Sequence, residues 1–266
     1  MSPIFPIASN TFREVFRQPA FLLVLLLGVV GLILGRYLTL FALGDEVRMF
    51  KDIGVSTILL VGLVLVVISS TSTIFDEIEN KTILTVLSKP VSRQSVLIGK
   101  FTGIALTVFV AFVMMTFVFL LALWWLSNFE YSHLPKGQPF FVVEALQGVY
   151  LAFLHVLLLA GISTVLSIHL SLLPNMAICC IIFVAGHLSD YAFSVFRDPS
   201  TNAMNPVAFV FYILIPNFEH FNVSSALIAG QTIPGTYTMF ASFYAGVYLL
   251  ILLFVGNYLF KRRELL

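Results

Sequence analysis

The chain has 266 residues, of which 59% are hydrophobic and 10% charged, with a net charge of +1. Soluble globular domains are roughly 45–50% apolar and about 25% charged, so this composition excludes an ordinary soluble enzyme and describes an integral membrane protein. With so small a charge, and basic residues at segment ends instead of in runs, nothing points to a nucleic-acid partner.

In chain order, the first predicted element is an amphipathic helix. Ile4, Ala8, Phe12, Val15, Phe16 and Pro19 fall at helical spacing, while Arg13, Glu14 and Arg17 lie off that stripe, as expected of a helix lying on the cytoplasmic membrane surface. A bilayer core about 30 Å thick needs roughly 20 helical residues. Six apolar stretches meet that length, at 21–43, 53–75, 98–126, 145–169, 175–196 and 236–260. The first, broken only by Arg36, is longer than a secretory signal core and has no small-x-small cleavage site after it, so it reads as an uncleaved span. Its Gly31 and Gly35 form a small-x-x-x-small pattern that permits close approach, at a dimer seam or within a helix pair, and Gly99 and Gly103 repeat the pattern.

Between the second and third spans the charge is concentrated. Asp76, Glu77, Glu79 and Lys81 precede an apolar face of Ile83, Leu84 and Leu87, and then Lys89-Pro90 breaks the chain, because proline disfavours helix in the residue before it. The pattern predicts a helix over 76–87 with its acidic residues in the first turn. Ser92 is placed to cap the next helix. This elbow, spanning 76–93, reads as a docking element, since ordered polar loops tend to carry function.

The fourth and fifth spans are fused in one stretch without Asp, Glu, Lys or Arg, and Pro174-Asn175 marks the expected break. His155 lies mid-span, where polar side chains are functional candidates. His187 and Asp190, three residues apart, are expected to share a helical face and pair. Arg36 and Glu144 are expected to snorkel to the outer interface. Cys179 and Cys180 are adjacent, carry no metal spacing, and read as packing residues. The piece from Pro206 to Pro216 is too short to cross and reads as re-entrant or interfacial. With six spans, nine basic residues (Arg13, Arg17, Lys81, Lys89, Arg93, Lys100, Lys261, Arg262 and Arg263) share one side. The positive-inside rule makes that side, and both termini, cytoplasmic.

The run Glu77-Ile78-Glu79-Asn80-Lys81-Thr82-Ile83, then Leu87-Ser88-Lys89-Pro90-Val91-Ser92-Arg93 and Gly99-Lys100-Phe101, resembles the cytoplasmic signature of ATP-binding-cassette (ABC) transporter permeases of the type-2 exporter family. The likeness takes in the opening Ile7-Ala8-Ser9-Asn10-Thr11-Phe12-Arg13-Glu14 and the short basic end, and it is strongest to permeases of gliding-motility and nitrous-oxide-reductase maturation transporters. The family often has glycine where this chain has Lys81. The resemblance implies an all-α transmembrane permease domain over 1–266 in a bacterial inner membrane, acting with a second permease copy or a related permease. It also implies a coupling helix, with Asp76, Glu77, Glu79, Lys81, Thr82, Ile83, Leu84, Leu87, Pro90 and Arg93 contacting a separate ABC ATPase present in two copies. No G-x-x-x-x-G-K-[ST] phosphate loop occurs in the sequence, so ATP and magnesium are expected in that partner and no cofactor in this chain. Two other readings stand beside it: a non-catalytic membrane anchor or assembly scaffold, and an intramembrane enzyme using His155, His169 or His187. The latter has neither an H-E-x-x-H nor a G-x-S-x-G motif behind it.

Overall fold

The computed structural model describes residues 3–41, 46–81, 92–126, 140–189, 191, 215–229 and 233–263. The described residues are helical with short irregular links. In order they are α1 (Ile4–Arg17), α2 (Pro19–Thr39), α3 (Glu46–Ser70), a π-helical turn (Thr71–Phe75), α4 (Asp76–Glu79), α5 (Arg93–Trp125), α6 (Phe140–Leu166), α7 (Leu172–His187), a 3₁₀ turn (Glu219–Phe221), α8 (Ser224–Ala229) and α9 (Gly235–Arg262).

Among the described residues, five helical stretches are long and apolar enough to cross a bilayer: α2, the continuous rod Glu46–Glu79, α5, α6 and α9. Helix α7 is apolar but only 16 residues long, about 24 Å at 1.5 Å per residue. Helices α3 and α6 form the centre, burying Ile58, Val66, Leu151, Val156 and Leu159, with α2, α5 and α9 packed around them. Leu22, Leu26 and Ile33 on α2, and Phe243, Leu250 and Phe254 on α9, are exposed. A spanning helix has such an apolar outer face because its surroundings are hydrocarbon.

Helix boundaries follow local chemistry. Pro19 sits at the first position of α2, where its missing N–H costs nothing. The Ser92 hydroxyl accepts the Ser95 N–H at 3.2 Å and caps α5. The break between α6 and α7 differs from expectation: α6 ends at Leu166, and Pro174 lies inside the first turn of α7, where proline is tolerated. What ends α6 is a turn over 167–169, which leaves Ser171 to precede α7.

The stripe expected on α1 is also shifted. Thr11 and Val15 are its buried residues, Phe5 and Phe16 are exposed, and the helix lies along α5. A Cβ at Gly99 would come within 2.8 Å of Ile7, and one at Gly103 within 2.7 Å of the Ala8 carbonyl oxygen. That small-x-x-x-small pair therefore serves α1. Gly31 and Gly35 face Thr57 and Ile53 on α3 of their own chain, which gives them a packing role inside the chain. Glu144, expected to snorkel, does not. It is buried, and its Oε2 lies 2.7 Å from Nζ of the fully buried Lys51.

Candidate functional site at the basal end of the bundle

The ends of α1, α3 and α9 and the start of α5 meet at one end of the bundle, here called basal. The rod Glu46–Glu79 is 34 residues long, about 50 Å, so it outruns a hydrocarbon core of about 30 Å. Asp76, Glu77 and Glu79 thus form its last turn. This corrects the expected helix over 76–87: the three carboxylates stand at a helix C-terminus, where the dipole disfavours them. Asn80 donates to the Asp76 carbonyl at 2.9 Å and Lys81 to that of Ile78 at 3.2 Å, and Lys81 then takes φ 58°. That left-handed residue closes the helix as a glycine commonly would.

Lys100, from the second turn of α5, offsets the misplaced negative charge. Its Nζ lies 2.6 Å from Glu77 Oε1 and also donates to the Thr73 carbonyl, within the π turn. A π turn shifts the backbone hydrogen-bond register, and a cation near the last carbonyls complements the dipole. Lys100 is only 4% exposed, so the contact is shielded from screening by salt. From α1, Gln18 Nε2 donates to Ser72 Oγ at 3.2 Å. Glu14 completes the cluster: burial and the neighbouring Glu77 push its carboxyl pKa up, against an opposing pull from Lys100.

Arg93 ties two helices together at this end. Its Nη1 lies 3.2–3.3 Å from the carbonyl oxygens of Phe260, Lys261 and Arg263, where it caps α9 and ties it to α5. Asp76, Glu79 and Lys81 are exposed at the tip, Glu77 is half-buried and Ile78 is buried. Thr82, Ile83, Leu84, Leu87 and Pro90 lie outside the described residues, as does Asp190 and hence its expected pairing with His187.

Just above the tip is a polar node that the sequence reading missed. Asn175 Nδ2 lies 2.9–3.0 Å from the hydroxyls of Thr71, Ser163 and Ser167, and Cys179 Sγ donates to its Oδ1 at 3.4 Å. Ser70 bonds Ser163 as well. All six residues of the node are buried, so α6, α7 and the π turn are locked where unpaired groups would be costly. The signal lay in plain sight: Ser69-Ser70-Thr71-Ser72-Thr73 is an uninterrupted hydroxyl run inside an apolar span.

Higher in the bundle, His155 stacks on Phe218 at 4.2 Å and on Phe183 at 5.2 Å between ring centroids, with His187 also at 5.2 Å. His187 Nδ1 contacts its own helix at the Phe183 carbonyl, 3.0 Å away.

The arrangement is a helical membrane scaffold with one charged, braced tip. The family model described as ABC-2 family transporter protein matches residues 5–265. The chain belongs to this ABC-2 family. A comparison with curated proteins found no match. This ABC-2 chain is a multi-pass membrane protein and a permease component of ABC transport, and the basal tip of its second long helix is where the family resemblance and the unusual local charge coincide.

Proposed function

We propose that this permease is driven by a separate ABC ATPase that grips the basal tip, acting as an exporter with two membrane chains and two ATPase copies. The observation that carries the reading is the bracing of the rod's basal end: the last turn, Asp76–Glu79, is tied through Glu77–Lys100 to α5, and the π turn just before it through Gln18–Ser72 to α1. A push on an exposed, braced tip moves three helices together. A free loop would absorb it. Beyond the tip, the sequence offers apolar Ile83, Leu84 and Leu87 for docking in an ATPase groove, and Pro90 disfavours helix in the residue before it. ATP and magnesium then belong to the partner.

Six crossings fit the path of the chain. Helix α6 begins near the Lys51–Glu144 pair, far from the tip, and ends near the polar node. Helix α9 begins beside the upper part of α6, where Tyr150 bonds Ser242, and ends at Arg93. The chain therefore climbs back between them, and α7 makes the first part of that climb. The basal end carries Arg13, Arg17, Lys81, Arg93, Lys100, Lys261, Arg262 and Arg263, which supports a cytoplasmic basal face in a bacterial inner membrane. Within the family, the likeness of 77–101 favours the gliding-motility and nitrous-oxide-reductase maturation subgroup.

The test is copurification of the native complex, with the associated chains searched for a phosphate-loop ATPase. Glu79→Lys combined with Leu84→Asp is expected to abolish association while leaving the melting profile of the permease unchanged. Retained association and unaltered transport in a folded double variant would sink the reading.

A further inference from the structure

A cavity of about 260 Å³ lies within the upper half of the bundle, between α3, α6, α7 and the segment after residue 215. Three independent features converge on it. His155 lines it, is 1% exposed, and its Nε2 has no hydrogen-bond partner among the described residues. Such an orphaned buried nitrogen costs free energy unless something else satisfies it.

Second, the wall includes irregular backbone at the level of the spanning helices. Of the lining residues, Asn222 and Val223 are not helical, and neither are 216–218 behind them, where Phe218 is fully buried and its N–H bonds the Gly186 carbonyl at 3.1 Å. Non-helical chain at bilayer depth is tolerated only where it is buried in protein or lines a cavity. Third, Ser56 and Leu60, which line the cavity, are exposed on the outer face of α3. The cavity therefore opens sideways on the outer face of α3, in the upper half of the apolar rod.

We propose that this cavity binds the uncharged, hydroxyl-bearing head of a membrane-borne amphiphile, with His155 Nε2 as its hydrogen-bond partner. The class follows from the lining. Asp, Glu, Lys and Arg are absent among the described lining residues, so an ionic head would be stranded without a counter-charge. Ser56, Ser224 and the two imidazoles offer hydrogen bonds, and Val55, Leu59 and Phe221 offer apolar contact. That combination of an apolar wall and few polar groups is what small-molecule sites present. The sideways mouth selects a ligand already dissolved in the bilayer. The inference takes from the preceding reading only that the chain is a permease, and binding is read without ATP or ATPase, so loss of coupling and loss of binding are separate results.

The experiment uses the full chain in phosphatidylcholine nanodiscs and two photoprobes that share one diazirine-bearing acyl chain, a monoacylglycerol and a phosphatidic acid. The monoacylglycerol is expected to label peptides containing Val55–Leu60 or Phe221–Ser224 in preference to the phosphatidic acid. His155→Leu is expected to cut that labelling about fivefold, the equilibrium effect of one ordinary hydrogen bond. Should His155→Leu fail to fold, Ser56→Leu at the exposed mouth is expected to lower the same labelling. Equal labelling by both probes, no labelling of those peptides, or labelling unchanged in the folded variants would overturn the proposal.

Discussion

Lys81 holds a backbone conformation that only glycine adopts without steric cost, and it does so at the point where the charged tip turns away from its helix. A left-handed residue with a Cβ costs roughly 1–2 kcal/mol, while glycine loses more chain entropy on folding. Lys81→Gly is therefore expected to stabilise the protein by up to about 1 kcal/mol, read as a higher melting midpoint in detergent, and Lys81→Val is expected to lower it. Glu14 gives a pH signature at the same scale. Its pKa is raised in the folded protein by burial and by Glu77, so the folded state binds this proton more tightly than the unfolded chain. Stability from this group is then fully present below the unfolded carboxyl pKa and falls as pH rises through the higher folded value. Glu14→Gln should flatten that fall in a melting series across pH 4 to about 7, and a series with an unchanged slope would contradict it.

Among elements, α1 owes its position to two glycines on α5. At Gly103 a Cβ would sit 2.7 Å from a backbone oxygen of α1, and backbone yields less readily than a side chain. Gly103→Ala is expected to cost about 1–3 kcal/mol and to free α1, making Arg13 and Arg17 faster sites for trypsin. Cleavage at the parental rate would show that α1 is held by other contacts. The sequence made this helix legible through its periodicity, but not its docked face, because Thr11 is polar and Phe16 is apolar, against their burial. The tip shows the same limit. Composition announced the concentration of charge, yet Asp76, Glu77 and Glu79 read as a helix start because acidic residues favour that end. Their true place, the end of the preceding rod, depends on Lys100, which comes from another helix and leaves no local trace.

For the whole molecule, the spans were the most legible feature: long apolar runs state their own length, and among the described residues five of the six stretches expected to cross have helices long enough to do so. Sequence could not reveal pairs joined across helices, such as Lys51 with Glu144, which are 93 positions apart. Breaking a buried pair from one side strands the other charge at a cost of about 3–5 kcal/mol, whereas replacing both with apolar residues is often neutral. Lys51→Met alone should therefore melt well below the parent, and Lys51→Met with Glu144→Leu should recover most of the loss. A double variant as unstable as the single one would mean that the carboxylate is not what the missing ammonium abandons.

That ion pair fixes where the permease can bend. Helices α3 and α6 are fastened at the end remote from the charged tip by two ions sealed from solvent, and parting them there would pull a buried ammonium away from its carboxylate. Under load, the fastened end should behave as a pivot, so the widest excursion of the central pair belongs to the opposite end, where the driving force arrives.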